Sequence, residues 1–175
     1  MNEDQSSKKN VVPNTIVNSL IKNMIDNYKQ NQLAVINKEL GMADSHSIWF
    51  DLPTLKKLIS DIESKTQNID PSITDKDLGL RFYYAAYPKA ENWDIMEGQS
   101  IGKEYAGKHT LVMIPTIKRE NLNFDFDPLN SASLKTATTA KATTVSSRLS
   151  SLSEESLAQN HGQLVPPHTS DVELY

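Results

Sequence analysis

The chain has 175 residues, is 38% hydrophobic and 23% charged, and carries a formal net charge of −4 with an isoelectric point near 5.5. That length suits one domain of ordinary size, and the modest apolar content implies that part of the chain stays outside a packed core. A mildly acidic balance argues against nucleic acid as the main partner, because phosphate binding needs a basic face. Cysteine is absent, which excludes disulfides, thiolate zinc sites, iron–sulfur clusters and cysteine nucleophiles. No stretch reaches the ~18 apolar residues of a membrane span, and the polar start MNEDQSSKKN lacks the apolar segment of a secretory signal. The simplest expectation is a soluble cytoplasmic protein with no membrane partner.

Residues 1–13 are polar and predicted to be loose. Val17, Leu20, Ile21, Met24, Ile25 and Tyr28 then recur at helical spacing, and Leu33, Ile36 and Leu40 continue the pattern. This predicts one helix over about 15–40, bent near Asn31, with Gly41 as its stop. HSIWFD (46–51) is a short strand-prone run. Asp51 is placed to cap a second helix over 52–65, with Pro53 in the first turn and an apolar stripe of Leu52, Leu55, Leu58, Ile59 and Ile62.

GLRFYYAAYP (79–88) reads as a strand apolar on both faces, hence central in its sheet. KHTLVMIPTIK (108–118) is a second strand, able to pair with it antiparallel across a long irregular connection. NLNFDFDPLN (121–130) suits an edge strand or an extended segment placing Phe124 and Phe126 on the core. The Ser/Thr/Ala-rich run after residue 130 lacks the apolar area to offset its ordering entropy, apart from a transient helix at 147–158.

The expected fold class is α+β: two layers, two helices on one small mixed sheet containing 47–51, 79–87 and 109–117, in the order α-β-α-β-β. A flexible N-terminus (1–13) precedes the domain (14–130). A disordered Ser/Thr-rich linker (131–158) follows it and leads to a C-terminal element (159–175). The segments HSIWFDLPTLKKLI, LGLRFYYAAYP, YAGKHTLVMIPT and QNHGQLVPP together resemble a set of uncharacterised small bacterial proteins. That resemblance carries no activity, cofactor or catalytic residue, but it implies that QNHGQLVPP belongs with the domain.

Motifs for chemistry are sparse. His46, His109, His161 and His168 have no metal-ligand spacing, so neither metal nor cofactor is expected. If the strands that His46 and His109 begin are neighbours, those two rings fall at one sheet end. Asp125 and Asp127, two apart in DFDP, would point to one side of an extended chain, as a cation site or an acid–base pair requires. No nucleophile elbow or phosphate-binding loop occurs, and GQSIGKEYAGK (98–108) lacks the hydroxyl residue after its lysine.

Arg81, Tyr83 and Tyr87 share one strand face. A half-buried arginine needs a partner, either a loop carboxylate or an anionic ligand held between tyrosines. With His109 these residues form the candidate ligand or enzyme site. The C-terminal element offers His161, Leu164, Pro166, Pro167 and Tyr175, and it folds back on its own domain, docks on another protein, or is a plain disordered tail. The leading expectation is a non-catalytic protein-interaction module with a tethered C-terminal recognition element. The alternative is an anionic-ligand domain or small enzyme around Arg81, Tyr83 and His109.

Overall fold

The computed structural model describes residues 15–139 and 156–167. The expected flexible N-terminus, most of the linker and of the 147–158 helix, His168 and Tyr175 lie outside the described residues. The chain is α+β, and no helix among the described residues is long and apolar enough to cross a membrane. It divides into two compact units, with the boundary between Asp44 and Ser45.

The N-terminal unit is helical: α1 (Asn18–Tyr28), a wider π turn (Lys29–Leu33) and α2 (Ala34–Leu40). The irregularity falls where a bend was expected and has a local cause. The Asn31 side-chain amide donates to the Asn27 carbonyl (2.9 Å) and to Asn27 Oδ1 (2.6 Å). It thereby competes for the carbonyl that an α-helix would give to the Asn31 backbone. Gly41 ends α2 in the left-handed region (φ 61°), and the Met42 N–H closes back on the Asn37 carbonyl (3.2 Å).

The second unit starts with β1 (Ser47–Trp49) and α3 (Leu52–Ile69). Asp51 caps α3, accepting from Thr54 N (2.8 Å) and Thr54 Oγ1 (2.6 Å). The Thr54 hydroxyl, then its backbone N–H, holds the Asp51 carboxyl below its usual 3.8. A depressed folded pKa adds stability above the unfolded value, and that stability is lost as pH falls through the folded value. Asp51→Ala should therefore lower the thermal midpoint at neutral pH, with the gap to wild type closing in acid. Melting curves at the two pH values check this. The helix runs four residues past the expected end because Thr66 is buried and Ile69 packs on the core. Asp70, extended before Pro71, stops it.

Next come β2 (Leu78–Ala86), β3 (His109–Arg119) and β4 (Leu122–Asp125), which form one antiparallel sheet in that order. The mixed sheet is thus corrected: β1 does not join these strands, and the β1–α3–β2 segment forms no parallel crossover. Instead β1 pairs antiparallel with β5 (Gln163–Val165), Ile48 opposite Leu164. Nor is β2 central. It lies at the sheet edge, with Phe82, Tyr83 and Tyr84 exposed.

Pro115 interrupts nothing. Its carbonyl accepts from Phe126 N (3.0 Å), so its nitrogen faces the same side, just where the β4 ladder has ended at Thr116–Asp125. Two residues back, Met113 exchanges backbone bonds with Gln159 (2.8 and 3.1 Å), extending that side of β3 with the C-terminal segment.

The linker expected from residue 131 begins with a helix, α4 (Ser131–Thr139). Asn130 Oδ1 caps it, accepting from Ala132 N (3.0 Å) and Ser133 N (3.2 Å). Leu134 and Ala137, one turn apart, are buried with Ile73, Ile117 and Phe126. On the same face of β3, Met113 packs with Leu58 and Ile62 of α3.

Candidate functional site

The strand alternation of β2 sends Arg81 and Tyr83 to the face opposite the core. Arg81 NH1 donates to Asp125 Oδ1, and Arg81 NH2 donates to the Asn123 carbonyl (2.8 Å). The Tyr83 hydroxyl donates to the other oxygen of Asp125. The guanidinium also lies 6.0 Å from the Tyr83 ring centroid. Its hydrogen bond to Tyr83 raises the arginine pKa, burial opposes that rise, and the Asp125 charge adds a lesser upward push. The loop carboxylate that Arg81 needs is therefore Asp125, and the bidentate anion seat between Arg81 and Tyr83 is already filled by a side chain of this chain.

The remaining candidates lie elsewhere. Tyr87 is four strand residues from Tyr83, a rise of about 13 Å. Its hydroxyl donates to the Asn160 carbonyl (3.0 Å), and burial pushes its phenol pKa up. Its ring packs on Tyr105 (5.6 Å between centroids) and Trp93 (6.3 Å). His109 pairs with Ala86 at this same end of the sheet. Arg81 and Tyr83 are thus grouped with Asp125, while Tyr87 and His109 sit at the other end of β2. His46 precedes β1, and β1 is not a neighbour of the strand bearing His109, so the two histidines do not share a sheet end.

Asp125 and Asp127 do not share a site either. Asp127 is fully buried: its N–H donates to Ser133 Oγ (2.8 Å) and its Oδ1 accepts from Leu129 N (3.0 Å). It shapes the turn into α4. Among the described residues no three His, Asp or Glu side chains are grouped to hold a metal ion.

The described part of the C-terminal element folds onto its own unit. Leu164 is fully buried with Tyr87 and Tyr105, and its N–H donates to the Tyr105 hydroxyl (3.2 Å). Gly162 permits this close approach, since a Cβ there would lie 2.3 Å from Ile48 Cγ2 and 2.5 Å from the Phe50 ring. The Pro166 carbonyl accepts from Ser45 Oγ (3.3 Å), while His161 and Pro167 remain exposed. Leu164 is accordingly a core residue and cannot serve as a docking anchor while β5 is in place.

Trp93, Met96 and Ile101, from the irregular connection, back this aromatic cluster. The outer side of the connection forms an open cleft of about 610 Å³, lined wholly by residues 90–103 and carrying Glu91, Asp94, Glu97 and Lys103. It is a fold of one segment with no side chain from a second element.

The N-terminal unit presents a different surface. Leu20 and Met24, one turn apart on α1, are 48% and 57% exposed, and Val17, the extended residue that precedes the helix at the same spacing, is 66% exposed. Ile16, Val35 and Leu40 are exposed as well. Sequence periodicity finds these residues but assigns them to a core, because spacing alone does not say which apolar stripe is covered.

Comparison of the chain with family models, with curated proteins and with solved structures finds no match.

Proposed function

We propose that this chain is a non-catalytic protein-interaction module whose N-terminal helix is the docking element. The observation that carries the reading is the exposed apolar face of Val17, Leu20 and Met24. An amphipathic helix of this kind lays its apolar side chains into a hydrophobic groove of a partner, with anchors at i, i+3 and i+7. Fully burying one such side chain contributes about 1.5–3 kcal/mol, and these partly covered side chains contribute less, set against the cost of association.

The polar surroundings favour a protein groove over a lipid surface. Over residues 15–40 the helix carries Lys22, Lys29 and Lys38 against Asp26 and Glu39, and Lys22 is paired with Asp26 (2.8 Å). Its other polar side chains are chiefly Asn and Gln. An interfacial membrane helix needs a strongly cationic polar face. The competing reading, an anionic ligand on Arg81, is weakened because Asp125 and the Asn123 carbonyl already engage that guanidinium.

The test compares full-length wild type with a Leu20→Glu, Met24→Glu double variant in affinity capture, each partner then being purified and its Kd measured. A partner whose affinity falls at least tenfold in the double variant, with helix content retained by circular dichroism, is the expected result. Equal recovery of the same proteins by both forms would remove the helix from the interface. Binding of wild type to anionic vesicles but to no protein would replace a protein groove with a lipid surface.

A further inference from the structure

Among the described residues, none pairs with the outer edge of β2. Phe126 N–Pro115 O and the Met113–Gln159 exchange show that odd-numbered residues of β3 direct their backbone groups away from β2. The even-numbered ones therefore face β2, and in this register they meet Gly79, Arg81, Tyr83 and Ala85. Leu80, Phe82 and Tyr84 consequently direct their N–H and C=O groups outward. Among the described residues no backbone partner meets them there.

Edge strands of monomers are commonly guarded by lysine, proline, a bulge or a covering element. The sequence LGLRFYYAA has a single charge, Arg81, and its guanidinium reaches away from the edge, across β3, to Asp125. What the edge displays instead is Phe82 (52% exposed) and Tyr84 (93% exposed), residues of high strand propensity.

We propose that β2 pairs antiparallel with β2 of a second copy of this chain, about a two-fold axis at Phe82, joining two three-stranded sheets into one. The strand is complementary to itself in this register. Outward-facing residues form the hydrogen-bonded pairs, and about the Phe82 axis these are Leu80–Tyr84, Phe82–Phe82 and Tyr84–Leu80. One face of the join becomes a continuous apolar row of those six side chains. On the other face Arg81 lies opposite Tyr83 of the mate and not opposite Arg81, so the only charge on the strand avoids its own copy. Centring the axis on Tyr84 would set Phe82 against Ala86 and Leu80 against Pro88, which has no N–H to donate. Centring it on Leu80 would set Arg81 against Gly79. The Phe82 axis is the one that uses the whole strand. This surface is separate from the N-terminal helix and does not depend on it.

The test uses light scattering and a thiol scan. Wild type should give twice the mass of the 19.6 kDa chain with rising concentration. Phe82→Lys and Tyr84→Lys, both at exposed positions, should each restore the monomer. The chain has no cysteine of its own. Phe82→Cys should therefore form an intermolecular disulfide on mild oxidation, because directly opposed hydrogen-bonded residues have Cα atoms about 5.5 Å apart, within disulfide reach. Tyr84→Cys should not, since its own copies would be offset by four residues, about 13 Å. A wild type that stays monomeric at all concentrations overturns the proposal. So does a dimer that survives both lysine substitutions, or one that crosslinks through Tyr84→Cys but not through Phe82→Cys.

Discussion

Phe126→Ala should lower the free energy of unfolding by about 3–5 kcal/mol, the range for removing a buried phenylalanine ring. Phe126 is 2% exposed. It belongs to one buried cluster with Ile73 after α3, Ile117 in β3, and Leu134 and Ala137 in α4. Its N–H is fixed by the Pro115 carbonyl, so the backbone at this position cannot move into the cavity the ring leaves without breaking that bond. Guanidinium unfolding read by tryptophan fluorescence and by circular dichroism measures the loss. A loss below about 1 kcal/mol would be too small for a ring enclosed on all sides, and it would mean that α4 does not dock on this cluster.

Leu164→Ala should cost about 2–5 kcal/mol for the same physical reason, in the C-terminal element. Leu164 is fully buried against Tyr87 and Tyr105, within a strand that supplies the only partner of β1 among the described residues. A freely tethered recognition tail would show no change. Measuring the variant by denaturant unfolding therefore separates a structural C-terminal segment from a dispensable one. His161→Ala, at an exposed position of the same segment, serves as the control expected to fall within about 0.5 kcal/mol of wild type.

What the sequence made legible was local. The Asp51–Pro53 start of α3, the Gly41 stop, the irregularity near Asn31 and the two long strands each follow from a few adjacent residues with one physical role. Strand neighbours were not legible. Ser45 and Pro166 touch across 121 positions, and nothing within HSIWF states that QLV will pair with it. β2 was taken for a central strand because aromatic residues on both faces look the same whether they are buried by a neighbour or left open. Composition concealed α4, although Asn130 as a cap and Leu134 with Ala137 one turn apart were signals of a short docked helix. At the candidate site, the need of Arg81 for a carboxylate was readable. That Asp125 would supply it, with Tyr83 on its other oxygen, depended on the β3–β4 hairpin register.

The antiparallel pairing of β1 with β5 also sets an order of events during synthesis. Strand β1 is among the first parts of its unit to be made, and its partner is the last described strand. Until Val165 has been added, Ile48 has no strand beside it, and the ring of Tyr105 lacks the leucine that closes over it. Local elements such as α3 and the β3–β4 hairpin can form early, but the unit closes only through a contact of long sequence separation, which is slow to find. A ribosome stalled anywhere before that point would carry a chain with a permanently open seam along β1, the kind of exposed strand that chaperones bind and that aggregates recruit.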